Sequence, residues 1–348
     1  MKAVTFGSAM IDIITVVNSQ SIEQISLSNA HQQFLLVEPG SKVEAQSITR
    51  HIGGGALNTA VCLSKLGCQV APAVMTGEDV ARDHILHHCE KHSLSPENFL
   101  SDQNATTGSA VMIASHEKNA AIFTHRGANT MLEESDLKKI SPLSADLVHA
   151  APLSGDSAKM LPLISELALQ SGAFFSSNPG IRQITTRANS VLSAARHMSL
   201  ISINAMEAAA LVPCLSALDD SLDWGKPNLD EPVLSCPGGI IPLKKFCEEL
   251  HSKGPKNVLI TYGGDGAYLY DGHALLHQPV IPVAVAGTAG AGDSFVSTLA
   301  FGLVSGLSPD KALLLAAHNA SSVVSFVNTT DGLLDLEELK KRSDFNQI

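Results

Sequence analysis

The sequence predicts an α/β fold, and three observations carry that expectation. Strand-like and helix-like runs alternate along the chain from Gln69 onward. Glycine-rich turns stand where extended runs give way to helical ones, at 53–55 and 287–292, and a third, at 263–266, leads from a strand into a hairpin. With 348 residues and 45% apolar content, the chain can bury one large α/β core as readily as two small ones.

Composition narrows the function classes. A net charge of −11 argues against a nucleic-acid surface or an anionic membrane surface as partner. No run approaches the roughly 20 apolar residues needed to span a bilayer. The N-terminus imitates a signal peptide until Asp12 interrupts the apolar run, so it reads as a first strand. Six cysteines are scattered without a CxxC pair, which suits reduced thiols in a cytoplasmic protein.

Taken in order, residues 3–7 form a short strand, and Ile11, Ile13, Ile14, Val16 and Val17 continue it with Asp12 embedded. A carboxylate in such a run must face water or a polar ligand, because burying it unpaired is costly. Residues 19–50 are weakly patterned apart from Phe34-Leu35-Leu36-Val37 and the turn Glu38-Pro39-Gly40-Ser41. After Gly53-Gly54-Gly55-Ala56-Leu57-Asn58, residues 59–67 read as a helix stopped by Gly67. A strand over 70–75 and a turn at 77–79 lead to a helix ending near His92. It carries His84, His87, His88 and His92, which read as a solvated face because no acid or cysteine framework surrounds them. Residues 107–114 and 120–125 form a hairpin around 116–119, followed by Arg126-Gly127-Ala128-Asn129.

From Asp146 the alternation is clean: a strand over 146–150, a helix to about Gln170, and a strand over 173–176. Asn178-Pro179-Gly180-Ile181-Arg182 then stands at a strand's carboxyl end, where open α/β sheets bind ligands. A strand over 199–203 runs into a helix opened by Asn204. Residues 212–240, with four prolines and the acids Asp219, Asp220 and Asp223, read as a long loop-like insertion. A helix over 243–251 and a strand over 257–261 follow. The loop Tyr262-Gly263-Gly264-Asp265-Gly266 leads to a hairpin through Asp271-Gly272. Residues 280–285 read as extended, and Ser308-Pro309-Asp310 opens another helix.

The chemistry concentrates in Gly287-Thr288-Ala289-Gly290-Ala291-Gly292-Asp293-Ser294-Phe295. A helix start leaves amides unpaired and carries the positive end of the dipole, so a side-chain-poor Gly-Ala-Gly lets an anion approach closely. A carboxylate beside a bound phosphate is costly unless a proton is to be moved there, which makes Asp293 a candidate general base. An Asp capping its own helix accounts for the stretch equally well.

Gly290-Ala291-Gly292-Asp293, with Thr288 before it and Phe295 after it, resembles the C-terminal signature of the ribokinase-like (PfkB) family of sugar and nucleoside kinases. Gly53-Gly54, three residues and then Asn58 resemble that family's N-terminal signature. Neither a P-loop nor G-x-G-x-x-G occurs. The resemblance implies a ribokinase-like three-layer α/β/α fold with a mostly parallel central sheet and a small β-sheet lid. It implies one domain over 1–348, with lid segments at approximately 15–50 and 105–130.

By the same resemblance, Asp293 is the base and Gly290, Ala291 and Gly292 form the anion hole. Asp12, Gly53, Gly54 and Asn58 hold the acceptor. Asn204, Thr261, Gly263, Gly266 and Asn319 meet the nucleotide, and Glu207 of an Asn-x-x-Glu motif orients Mg²⁺. A capping box accounts for Asn204 and Glu207 too. ATP and Mg²⁺ are the implied cofactors, and the implied partners are small molecules, with lid-to-lid homodimers in some relatives. The activity implied is ATP-dependent phosphorylation of a hydroxymethyl group of a sugar, or of a nucleoside's ribose. A non-catalytic sugar- or nucleotide-binding regulator is the alternative from another class, disfavoured by the presence of both Asp293 and Glu207. Two departures stand out. Gly287 replaces an acid that helps hold K⁺ in relatives, which leaves K⁺ open, and the acidic sugar contact near 146–150 has no counterpart.

Overall fold

The computed structural model describes residues 1–17, 23–26, 33–36, 40, 42–115, 120–140, 144–219 and 221–343. The hairpin tip expected at 116–119 and most of the turn expected at 38–41 lie outside them. Among the described residues no helix is long and apolar enough to cross a membrane.

β1 (Lys2–Gly7) does not continue into the next run as the sequence suggested, because β2 (Met10–Val17) belongs to a different sheet. The break has a physical cause. The Asn129 side chain accepts from the Ala9 amide and donates to the Ala9 carbonyl, at 2.9 and 3.0 Å, so Ala9 has no backbone groups left for a strand neighbour. β3 (Glu23–Ser26) and β4 (Gln33–Leu36) pair with each other. β5 (Ala45–Gly53) then returns antiparallel to β2.

From there the chain builds βα units: α1 (Gly55–Lys65), β6 (Gln69–Gly77), α2 (Val80–Lys91) and β7 (Phe99–Asp102). It visits the second sheet again through β8 (Gly108–Ser115) and β9 (Ala120–His125), and a short α3 (Glu134–Leu137) follows. β10 (Leu147–Ala150), α4 (Leu161–Ser171), β11 (Phe174–Ser177), α5 (Ile181–Ala195), β12 (Leu200–Asn204) and α6 (Ala205–Leu218) complete the central alternation. The small hairpin β13 (Val233–Cys236) and β14 (Gly239–Pro242) precedes α7 (Leu243–Ser252) and β15 (Asn257–Thr261). β16 (Ala267–Tyr270) and β17 (Leu275–Gln278) form the terminal hairpin of the sheet. α8 (Ala291–Val304), α9 (Pro309–Val323) and α10 (Leu336–Ser343) close the chain.

The nine-stranded sheet has the order β17-β16-β15-β12-β11-β10-β1-β6-β7 and is parallel from β15 to β7. A parallel sheet must be covered on both faces, which is why its strands are nearly continuous apolar runs. Phe175, Ile184, Leu211 and Phe246 pack α5, α6 and α7 against one face. Leu57, Val296, Leu299 and Leu315 pack α1, α8 and α9 against the other. The fold is therefore three-layered, with helices on both sides. The order β5-β2-β8-β9 forms a separate small sheet beyond the carboxyl ends of the central strands. That small sheet takes in β2 from Met10 and runs through β5 to Gly53, beyond both ends of the first lid segment expected.

Two other segments differ from expectation. Residues 212–240 are not one loop: α6 continues through Pro213, which lies on its exposed face. There the carbonyl deprived of its partner by proline can turn to water. Trp224 stacks on Phe246 with ring centroids 6.3 Å apart, and its Nε1 donates to Ser216 Oγ at 3.0 Å. Leu234 is fully buried in the same core, so this segment closes one helical layer. Residues 280–285 pair with no strand among the described residues. The amides of Ala286 and Gly287 bond instead to the Val324 carbonyl, docking the segment on the chain after α9. Leu234→Ala is expected to cost about 2–5 kcal/mol in urea unfolding. A loss below about 0.5 kcal/mol would return the segment to the solvent-exposed loop class.

Candidate active site

The site begins at the first turn of α8. Gly290 caps the helix in the left-handed region, at φ 80°, and a Cβ there would lie 2.8 Å from Thr329 atoms. No side chain caps this helix, and the amides of Gly292 and Asp293 have no protein acceptor among the described residues. A Cβ built on Gly292 meets nothing within 4 Å. The helix start thus offers unpaired donors on an open side, the requirement for receiving an anion.

Asp293 stands on that turn. Burial pushes its carboxyl up from the ordinary 3.8 to about 6, and the hydrogen bond from Asn58 pulls the other way. Asn58 Nδ2 donates to Asp293 Oδ2 at 2.8 Å, and Asn58 Oδ1 accepts from Thr329 Oγ1 at 2.9 Å. Asn58 was expected to grip the acceptor. It is instead buried, and its amide orients Asp293. The start of α1 that carries it is pinned by Ser8, whose carbonyl accepts from Ala56 and whose hydroxyl accepts from Gly55. Gly54 precedes that helix with a built Cβ only 2.3 Å from the Ser8 carbonyl oxygen.

Asp12 and Gly53 meet in the small sheet. A Cβ on Gly53 would lie 2.1 Å from Asp12 Oδ2, so glycine is what leaves room for that carboxylate. Burial raises the Asp12 carboxyl, and His51, its register partner on β5, opposes that rise. A cavity of about 190 Å³ lies between the small sheet and the loops before α8 and after α9, lined by Asp12, His51, Met112, Ala289 and Thr329 among others. Asp12, the glycine turn before α8 and Asn58's partner Thr329 therefore share one space. His51 and Thr329 were not singled out in the sequence. Alternation with Ile52 was the only available pointer to His51, and Thr329 sits in a loop without a pattern.

Farther along the same edge, Asn204 and Thr261 are register partners at the carboxyl ends of β12 and β15. Asn204 Oδ1 accepts from the Glu207 amide and Glu207 Oε2 accepts from the Asn204 amide, both at 2.9 Å, a complete capping box. Burial raises the Glu207 carboxyl, while the amides of Asn204 and Ile181 lower it. Gly263 has open space around a built Cβ. Gly266 is demanded by packing, since a Cβ would lie 2.2 Å from the Gln278 carbonyl oxygen. From β10 to β15 is three strand spacings, about 14 Å.

Asn319 is a correction. It is fully buried; its Nδ2 donates to Thr298 Oγ1 at 2.8 Å and its Oδ1 accepts from the Leu334 amide at 3.0 Å. With its amide used to tie α8 and α9 to the C-terminal segment, it does not reach the cleft. The helical histidines also divide: His84 and His87 are exposed, whereas His88 and His92 are half-buried with ring centroids 4.4 Å apart. Among the described residues no group of three or more His, Cys, Asp or Glu could hold a metal.

An open sheet edge with a bare helix start, an enclosed carboxyl beside it and a small sheet above is the architecture of an enzyme that transfers phosphoryl groups to alcohols. The chain belongs to the pfkB family of carbohydrate kinases, whose profile matches residues 2–335. It is 26% identical to ribokinase of Mus musculus over 296 residues, 83% of this chain and 80% of that protein. The fold is shared with Arabidopsis thaliana ribokinase complexed with ribose and ATP, at TM-score 0.75, 22% identity and 99% coverage of each chain. It is shared too with Burkholderia thailandensis nucleoside kinase in complex with inosine, at TM-score 0.71, 18% identity, and 98% and 97% coverage.

The raised carboxyl has a stability consequence. A folded-state value above the unfolded one means the native protein holds the proton more tightly, so folding is disfavoured as that proton is lost. This cost is absent below pH 4, grows between about pH 4 and 6, and is complete above 6. Asp293→Asn should therefore be more stable than wild type at pH 7.5 and equal to it near pH 4. The gain is bounded by about 3 kcal/mol, because the residue is only half-buried. Urea unfolding at the two pH values measures it.

Proposed function

We propose that this chain transfers the terminal phosphoryl group of ATP to a hydroxymethyl group of a sugar or of a nucleoside's sugar. The observation that carries this reading is the Asp293 carboxyl, half-buried and held by Asn58, on the same helical turn as two unpaired amides. A base with a value near 6 is ionised at neutral pH, yet basic enough to draw the proton from an alcohol as its oxygen attacks. The amides of Gly292 and Asp293 receive the charge of the transferring group, and the dipole of α8 adds to them, whereas the Ala291 amide, expected to share in this, is bonded to the Thr288 carbonyl at 3.4 Å. Asp12 accepts from acceptor hydroxyls, with Gly53 and Gly54 allowing close approach and Asn58 acting through Asp293.

Asn204, Thr261 and the open Gly263 loop face the nucleotide in this reading. The donor set fits Mg²⁺, which keeps several waters and leans on substrate phosphates and one or two carboxylates. Glu207, aimed by two backbone amides, is the carboxylate for one such water. The ion supplies neutralisation of phosphate charge. At Gly287 only a backbone carbonyl is available to a monovalent cation. The small sheet bears exposed Ile48 and Phe123 on the face away from the Asp12 cavity, which suits pairing of two lids.

Asp293→Asn is expected to lower kcat by about 10²–10⁴-fold with nucleotide affinity kept. In wild type, kcat/KM should rise with pH up to about 6 and then level off. Near-normal turnover by the variant, in a coupled ADP-release assay, would sink the base assignment. Glu207→Gln should raise the Mg²⁺ concentration needed for half-maximal rate, measured in the same assay, while leaving KM for the acceptor in place.

A further inference from the structure

A second cavity, of about 700 Å³, opens on the same carboxyl edge and has no part in the chemistry above. Arg126 reaches it from the root of the small sheet, directly after β9, and Arg182 reaches it from the first turn of α5. No Asp or Glu side chain is among its lining residues. Neither arginine has an acidic partner within salt-bridge distance among the described residues, whereas the third arginine there, Arg187, pairs with Asp156 at 3.4 Å. Arg126 donates to Ser154 Oγ at 2.6 Å, which fixes one arm of its fork and leaves the others for a ligand. Burial and the charge of Arg182 both hold the Arg126 guanidinium below its ordinary range.

Two like charges facing one cavity, one of them half-buried, oppose each other in a protein whose net charge is −11. Such a pair is relieved by an anion that accepts from both, and a guanidinium fork matches a pair of oxygens on a carboxylate or a phosphate. The cavity lies against the turn that backs the start of α1, the helix that carries Asn58. A Cβ built on Gly55 lies 2.7 Å from Ala151 Cβ and 3.5 Å from Pro152 Cδ. On the other side of the turn, a Cβ built on Gly180 lies 3.1 Å from Pro152 Cβ. Only that short apolar turn stands between the start of α1 and the start of α5.

We infer that the acceptor carries an anionic group, a sugar carboxylate or a sugar phosphate, and that Arg126 and Arg182 bind it while a hydroxyl at the other end of the same molecule meets Asp293. The inference rests on the kinase reading for the second half of that statement only. The anion site itself is independent of Asp293.

The test is equilibrium binding by calorimetry to Asp293→Asn protein, in which turnover plays no part. The probes are fructose, fructose 1-phosphate, fructose 6-phosphate, gluconate and inosine. At least one anionic probe should bind at least tenfold more tightly than fructose and inosine, and gluconate against the phosphates separates the two anion classes. Adding Arg126→Gln or Arg182→Gln should weaken that probe about 10- to 100-fold, the worth of one or two hydrogen bonds to a charged group. Arg126→Lys should recover only part of the loss, since it restores charge without the fork. If no anionic probe outbinds fructose, or if the glutamine variants leave the difference intact, the inference is overturned. Near-normal turnover by Asp293→Asn with anion binding preserved instead indicts the base assignment, so the two failures are told apart.

Discussion

The hydrogen bond from Asn58 Nδ2 to Asp293 Oδ2 joins the first turns of two helices whose residues lie 235 positions apart in the chain. Both turns sit at the end of the sheet where β1 and β10 stop, and both are opened by glycine. The choice of an amide at position 58 sets the chemistry of the acid. A lysine there would hold the carboxylate ionised far below neutrality, leaving a poor base, and an apolar residue would leave it unpaired and push its carboxyl higher still. Asparagine offsets part of the burial effect and leaves the carboxyl near 6. Thr329 completes the arrangement by fixing which end of the amide faces Asp293.

That pairing also dictates where the small sheet must go. Ser8 anchors α1, and Asn129 replaces a strand neighbour for Ala9. The chain therefore leaves the central sheet there and carries Asp12 out over the edge. Gly53 returns on the adjacent strand, close enough that any side chain would strike the Asp12 carboxylate. Acceptor contact and catalytic turn are thus linked through backbone on both sides, from β1 into α1 and from the Thr329 loop into α8. A shift of either helix start would move Asp293 and the floor of the 190 Å³ cavity together.

Much of this was legible because local chemistry and tertiary role coincide. The glycine turns, the αL stop at Gly67, the Ser308 cap and the βα alternation require only nearest neighbours, and the strands and helices expected from them formed within a few residues of their bounds, while the helix Ile181–Ala195 was not expected. Legibility failed where a residue's partner is distant. Asn319 carries no local mark of being satisfied by Thr298 and Leu334. Residues 280–285 have strand-like valines, yet the carbonyl that receives the following amides belongs to Val324, beyond two helices. The prolines of 212–240 suggested a loop, while Trp224 and Leu234 find a core formed by α6 and α7. Asn58 was recognised as part of the site, but its role turned on where an amide points, which spacing does not encode.

The edge also has to separate opposite charges. Arg126 and Arg182 lie across the Ala151-Pro152 turn from the helix start that bears Asn58. A guanidinium in contact with Asp293 would pull its carboxyl well down and weaken it as a base. The carboxyl responds instead to burial and to Asn58, with no arginine among its influences. Ala151 and Pro152 are small, apolar and incapable of carrying charge between the two sides, and Gly55 and Gly180 let the backbone close tightly around them. An acceptor long enough to span that turn could have its anionic end held by arginines and its hydroxyl offered to a carboxylate that those arginines leave basic.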